Sequence, residues 1–290
     1  MDTRELLKKV RRIEIKTNRL SRHLFSGEYH SSFKGRGMSF SEVRAYTYGD
    51  DIRAIDWNVT ARLREPYVKV FEEERELSLM IVADISGSGN FGTAGQMRRE
   101  VITEIGATLA FSALQNNDKV GLLLFSDRIE RFIPPQKGRS QVLRIIREML
   151  EFQPKGKQTD IAHALEYLNA IQRKSGIVFV LSDFFDQNYE HALRVTGRRH
   201  DLIGIRIIDP LEKDIPAMGV LPIFDAESGV TQWVDLSSEV ARNRYRDWME
   251  GKEAYFQRSL KAARAGRIEV QLGQPYAQAL LQFFQRRNRR

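Results

Sequence analysis

The sequence predicts an α/β fold, a mainly parallel sheet flanked by helices, with an N-terminal extension ahead of it. Three observations predict it. From residue 76 onward, short apolar runs alternate with segments of helical period. The runs Leu77–Ala83, Lys119–Phe125, Ile177–Leu181 and Leu202–Ile208 are nearly continuous in apolar residues, as strands covered on both faces require. Two of them lead straight into Asp- and Ser-bearing loops, at the sheet edge where open α/β folds collect ligands.

In chain order, residues 3–24 read as a helix, with Leu6, Val10, Ile13, Thr17 and Leu20 forming a narrow apolar stripe among Lys and Arg. Residues 25–41, rich in Ser and Gly, read as a loop. Residues 42–75 hold short extended pieces such as Arg44–Tyr48 and Tyr67–Phe71. The region 1–75 is therefore expected to pack as a helix and extended segment on a main domain at 76–290. In that domain the helical segments fall near 95–116, 140–151, 160–173 and 189–199, between the apolar runs. Arg128–Ile133 follows Phe125 too closely for a helical crossover, so this pair is expected as an antiparallel edge hairpin. Residues 220–236 read as a second hairpin turning at Glu227-Ser228-Gly229, an insertion in the main domain. A last strand, Ile268–Leu272, precedes a helix with Ala277, Leu280, Leu281 and Phe284 on one face.

Composition narrows the function classes. Cysteine is absent, which excludes disulfides and thiolate metal sites. No apolar run approaches the roughly 20 residues of a membrane helix, and the charged N-terminus lacks a signal-peptide core, so a cytoplasmic location is expected. The net charge of +8 sits at the ends: residues 1–24 hold 8 basic and 3 acidic side chains, and 237–290 hold 12 and 5. The central body is mildly acidic, which disfavours a nucleic-acid-binding core surface.

The chemistry gathers at three loops. The first run enters Asp84-Ile85-Ser86-Gly87-Ser88, Thr159 stands in Lys157-Gln158-Thr159-Asp160 ahead of a helix, and a later run enters Ser182-Asp183. All the candidate ligands, Asp84, Ser86, Ser88, Thr159 and Asp183, offer oxygen, which suits Mg²⁺, Mn²⁺ or Ca²⁺ rather than zinc. Two carboxylates balance one dication and leave it electrophilic toward a further carboxylate. Taken alone, Asp84 and Ser86 also suit a turn, and Thr159 a helix N-cap.

Asp84-x-Ser86-x-Ser88, then Thr159, then Asp183, resembles the metal-ion-dependent adhesion site of von Willebrand factor A domains. The resemblance implies that the hydroxyls touch the ion, that at least one carboxylate acts through water, and that an acidic side chain of a bound protein completes the shell. Mg²⁺ is the expected ion. A broader resemblance covers nearly the whole chain. Gly35-Arg36-Gly37-Met38-Ser39-Phe40, Glu42-Val43-Arg44 and Gly49-Asp50-Asp51-Ile52-Arg53-Ala54-Ile55-Asp56-Trp57 are similar to the prokaryotic family called domain of unknown function 58. Gly89 stands where many relatives carry Met. The resemblance implies a von Willebrand factor A-like domain working beside MoxR-type AAA+ ATPases in an accessory, chaperone-like role.

Other chemistries fit less well. Gly49-Asp50-Asp51 reads as a turn. None of the five histidines stands in His-Glu-x-x-His spacing, no phosphate-binding P-loop occurs, and no Gly-x-Ser-x-Gly elbow is present. The expected function is thus a metal-dependent protein-binding module and not an enzyme, binding a MoxR-type ATPase and a client that presents an acidic residue. Two rivals stand beside it: a nucleic-acid or membrane-surface binder through the basic termini, ending in Arg286-Arg287-Asn288-Arg289-Arg290, and a metal-dependent phosphoester hydrolase.

Overall fold

The computed structural model describes residues 11–14, 16–17, 38–73, 77–93, 95–213, 215–224 and 229–288. The chain forms two compact units, residues 33–76 and residues 1–32 together with 77–290.

In the smaller unit, strands β1 (Met38–Ala45) and β2 (Tyr67–Glu73) pair antiparallel, from Met38 opposite Glu73 to Ala45 opposite Tyr67. The loop expected to run to residue 41 therefore gives way to strand at Met38. Cross-strand pairing overrides the local Ser and Gly content there. A turn follows at Gly49, whose φ of 110° suits glycine. Asp50 closes it, accepting from Arg44 at 2.7 and 2.8 Å and from the Thr47 N–H at 2.8 Å. Helix α1 (Trp57–Leu63) is a further departure from the extended reading of 42–75. Asp56 starts it, accepting from the Asn58 and Val59 N–H groups, and Arg64 ends it at φ 59°.

In the larger unit, residues 11–14 and 16–17 are helical. Lys16 pairs with Glu104 and Glu14 with Arg139, each at 2.5 Å. The remainder of the expected 3–24 helix and the Glu227-Ser228 tip of the second hairpin lie outside the described residues.

The main sheet has six strands: β3 (Ser78–Asp84), β4 (Lys119–Phe125), β5 (Ile129–Gln136), β6 (Ile177–Ser182), β7 (Asp201–Ile208) and β10 (Gly266–Gln271). They lie in the order β10-β7-β6-β3-β4-β5. All neighbours are parallel except β4 and β5, the antiparallel edge hairpin read from the sequence. Strands β8 (Val220–Phe224) and β9 (Thr231–Asp235) make the second hairpin.

Helices α2 (Arg98–Gln115), α3 (Arg139–Glu151), α4 (Ile161–Ile171), α5 (Glu190–Arg199) and α8 (Tyr276–Asn288) fall where helical period predicts them. A short helix, α6 (Pro210–Lys213), follows β7. The longest helix, α7 (Glu239–Ala262), is absent from the predicted alternation. Its buried residues Met249, Phe256, Ser259 and Leu260 are widely spaced among charges, so its apolar stripe is dilute.

Both faces of the central strands are covered. On one face Met80, Val82, Val178 and Val180 pack with Leu165 and Leu168 of α4 and Phe256 and Leu260 of α7, all essentially inaccessible to water. Burying each such large side chain contributes about 1.5–3 kcal/mol. Counted by first appearance in this sheet, the strand order is 3-2-1-4-5-6. The order reverses between β3 and β6, so a crevice opens at their carboxyl ends. Among the described residues no helix is long and apolar enough to cross a membrane.

Candidate metal centre

Asp84 is the last residue of β3 and Ser182 the last of β6. The register aligns Ala83 with Leu181, which sets these two residues side by side across the switch point. The Ser182 hydroxyl donates to Asp84 Oδ2 at 2.6 Å, and the Ser86 N–H donates to Asp84 Oδ1 at 2.9 Å. The carboxyl is 3% exposed. Burial raises its pKa above the ordinary carboxylate range, and the nearby charge of Asp183 adds to the rise.

After Ile85, whose N–H donates to the Phe125 carbonyl at 2.9 Å, the chain enters a single 3₁₀ turn at Gly87–Asn90. The turn brings the Ser86 and Ser88 hydroxyls within 3.1 Å of each other. The sequence predicts the two hydroxyls on one side from extended geometry; the structure brings them together through the tighter turn. The Gly87 N–H donates to the Lys157 carbonyl at 2.8 Å, which ties the second loop to the first. Thr159, half-buried, stands two residues beyond Lys157. The N-cap of α4 is Asp160, which accepts from the His163 N–H at 2.8 Å, so Thr159 does not serve as the cap.

Asp183 begins the third loop and is 2% exposed. Its Oδ1 accepts from the Phe185 N–H at 3.1 Å, and its Oδ2 accepts from Arg98 Nη1 at 2.8 Å. The same Arg98 nitrogen donates to the Ser88 carbonyl at 2.9 Å, and Nη2 donates to Glu212 at 2.5 Å. One buried guanidinium thus joins the first loop, the third loop and α6. Burial works against its charge, but Asp183 and Glu212 hold its pKa above the ordinary value. Arg206, also buried, donates from Nε to the Asp183 carbonyl at 3.1 Å. Asp209 fastens the neighbouring loop, accepting from the Thr93 N–H at 2.7 Å and the Thr93 hydroxyl at 2.5 Å.

The third loop is held from two further sides. Asp186 accepts from the Ile161 N–H at 2.8 Å, and Lys252 of α7 donates to the Phe185 carbonyl at 2.6 Å. The Phe185 ring lies 5.8 Å from that of Trp248, which is 48% exposed, and the Tyr245 ring lies 5.7 Å from Trp248.

The donor set fits a small hard cation. Neighbouring oxygens around an octahedral Mg²⁺ lie about 2.9 Å apart and around Ca²⁺ about 3.3–3.7 Å, given the usual metal–oxygen distances. The Ser86–Ser88 separation of 3.1 Å falls between the two. Asp183 has Arg98 as its counter-ion, whereas no ion pair forms on buried Asp84 among the described residues. Among those residues no three His, Asp or Glu side chains converge, so the site would depend on hydroxyls beside its carboxylates.

Sequence reasoning misses Ser182, Arg98 and Glu212 as parts of this site. Arg98 had a signal: it stands at helical spacing from the buried Val101, Ile102 and Ile105, a charge on an otherwise apolar face.

The profile of the family described as protein of unknown function DUF58 matches residues 42–255. The uncharacterized protein Rv1480 of Mycobacterium tuberculosis (strain ATCC 25618 / H37Rv) is 30% identical over 236 residues, 80% of this chain and 74% of that protein. Among solved structures, an aerotolerance-related membrane protein from Bacteroides fragilis aligns over 72% of this chain and 99% of its own, with TM-score 0.50 and 18% identity. That likeness concerns the fold alone. The VWA domain of SpRpn10 aligns over 73% and 95%, with TM-score 0.39 and 11% identity. With its profile matched across most of its length, the chain belongs to the DUF58 family, on an α/β fold with a mainly parallel sheet flanked by helices.

Proposed function

We propose that this protein is a metal-dependent protein-binding module, with Asp84, Ser86, Ser88, Thr159 and Asp183 holding one divalent cation, Mg²⁺ above Mn²⁺ or Ca²⁺. The observation that carries the reading is the buried Asp84 carboxyl beside two hydroxyls 3.1 Å apart. A dication would supply a direct ion contact for Asp84, which forms no ion pair among the described residues, and would present an open position to an acidic side chain of a partner. The exposed Trp248, stacked beside the Asp183 loop, supports a binding role, because exposed Trp and Tyr side chains commonly anchor interfaces.

A MoxR-type AAA+ ATPase is the proposed partner, with client assembly or remodelling as the joint task; this part rests on the family resemblance. The reading is non-enzymatic. Two-metal hydrolysis of phosphoesters normally takes more carboxylates than Asp84 and Asp183 provide.

The test uses the purified full chain and the MoxR-type ATPase of the same organism in a pull-down with Mg²⁺ or with chelator. Retention with Mg²⁺ alone, lost in Asp84→Ala, is expected. Equal retention in chelator would sink the metal-dependent reading.

A further inference from the structure

A second binding feature lies at the far edge of the sheet. Strand β10 is the edge strand, with only β7 beside it among the described residues. The Leu272 N–H donates to the Ile208 carbonyl at 2.9 Å, just past the register that pairs Ile268 with Ile205 and Val270 with Ile207. Successive backbone groups of a strand point to opposite sides, so the N–H and C=O groups of Arg267 and Glu269 and the Gln271 N–H point away from β7, while the Gln271 carbonyl accepts from the Gln274 N–H at 3.1 Å. Such an edge is a template for another strand unless something covers it.

Alongside this edge runs a groove of about 640 Å³ between the start of β10 and helix α8. Four guanidiniums line it, Arg264, Arg267, Arg286 and Arg287, against the carboxylates of Asp201 and Glu269. Arg287 pairs with Asp201, and Arg267 stands 3.8 Å from Glu269. Arg264 and Arg286, both exposed, have no carboxylate partner among the described residues. The Phe283 ring lies so close over Gly266 that a Cβ there would come within 2.6 Å of it, giving the groove an aromatic wall.

We infer that this groove binds an extended acidic peptide, added as a seventh strand on β10, with alternate carboxylates on Arg264, Arg267 and Arg286 and the intervening apolar side chains against Phe283. Backbone pairing would supply affinity, and the guanidinium excess would select for negative charge. The groove flanks the amino end of β10, whereas the candidate metal centre lies at the carboxyl ends of β3 and β6. The inference is therefore independent of the metal.

The probe is a fluorescein-labelled Glu-Val-Glu-Val-Glu-Val peptide, with its Lys-for-Glu counterpart as control, titrated by anisotropy into the full chain. The acidic peptide is expected to bind, the basic one not to bind, and an Arg267→Glu/Arg286→Glu variant to lose at least about tenfold in affinity. Chelator and Asp84→Ala should leave binding unchanged. Amide exchange at Arg267, Glu269 and Gln271 should slow when the peptide is present. Equal affinity in the double variant, unchanged exchange at those three amides, or binding of a single-stranded oligonucleotide without binding of the peptide would each overturn the inference.

Discussion

The Arg98 guanidinium donates to the Asp183 carboxylate at 2.8 Å, with both side chains 2% exposed. Desolvating two charges is costly, and their attraction repays it only when geometry is good and the remaining donors are satisfied. Here the second guanidinium nitrogen reaches Glu212 at 2.5 Å, while Nε has no hydrogen-bond partner among the described residues. Truncating Arg98 would leave the buried Asp183 carboxylate and the partly buried Glu212 carboxylate without their counter-charge. Arg98→Met is expected to lose about 3–5 kcal/mol in urea unfolding at pH 7. Added Mg²⁺ should recover part of that loss, shifting the variant's unfolding midpoint more than the wild type's. A loss below about 1 kcal/mol would show that the pair is not a structural tie.

Ser182 orients Asp84 from the neighbouring strand through a 2.6 Å hydrogen bond. Ser182→Ala removes that donor from a buried carboxyl. Groups that orient a metal ligand typically change metal affinity by about 10–100-fold when removed. Mg²⁺ affinity measured by calorimetry should fall within that range, and stability without metal should fall by about 1–3 kcal/mol. An unchanged affinity would remove Ser182 from the site.

His200 ends helix α5 and is 4% exposed, and neither ring nitrogen has a hydrogen-bond partner among the described residues. Burial lowers its pKa to about 4, with the Arg199 charge adding to the effect. The folded pKa thus lies below the unfolded value of about 6.5. Between those values the unfolded chain takes up a proton that the folded chain refuses. The contribution is present in full above pH 6.5 and is lost as pH falls toward 4. It amounts to at most about 3 kcal/mol. Urea unfolding of wild type and His200→Phe across pH 7 to 4 should show a shallower decline in the variant. Parallel declines would contradict the assignment.

The repeating parts of the fold were legible because burial on both faces leaves continuous apolar runs, as in Ile177–Ser182. Asp84 and Asp183 were legible for the same reason, since each stands where such a run stops. Ser182 was not, because its link to Asp84 depends on which strand lies beside β3, and sequence spacing does not carry strand order. Arg98 was hidden by its neighbours: its place on the buried face of α2 has meaning only once Asp183 and Glu212 come from distant parts of the chain to meet it. Helix α1 depends on the Asp56 cap, a short-range feature that an extended reading of the segment passed over. Helix α7 was missed because Met249 and Phe256 stand seven residues apart with charged residues between them.

Mg²⁺ and Mn²⁺ titration of the full chain by calorimetry, in wild type and Asp84→Ala, with circular dichroism of both, decides whether the oxygens around Asp84 hold a cation. One saturable site per chain is expected in the wild type, none in Asp84→Ala, with matching spectra. Equal binding by the variant, or no binding by the wild type at millimolar cation, would contradict the metal-dependent reading.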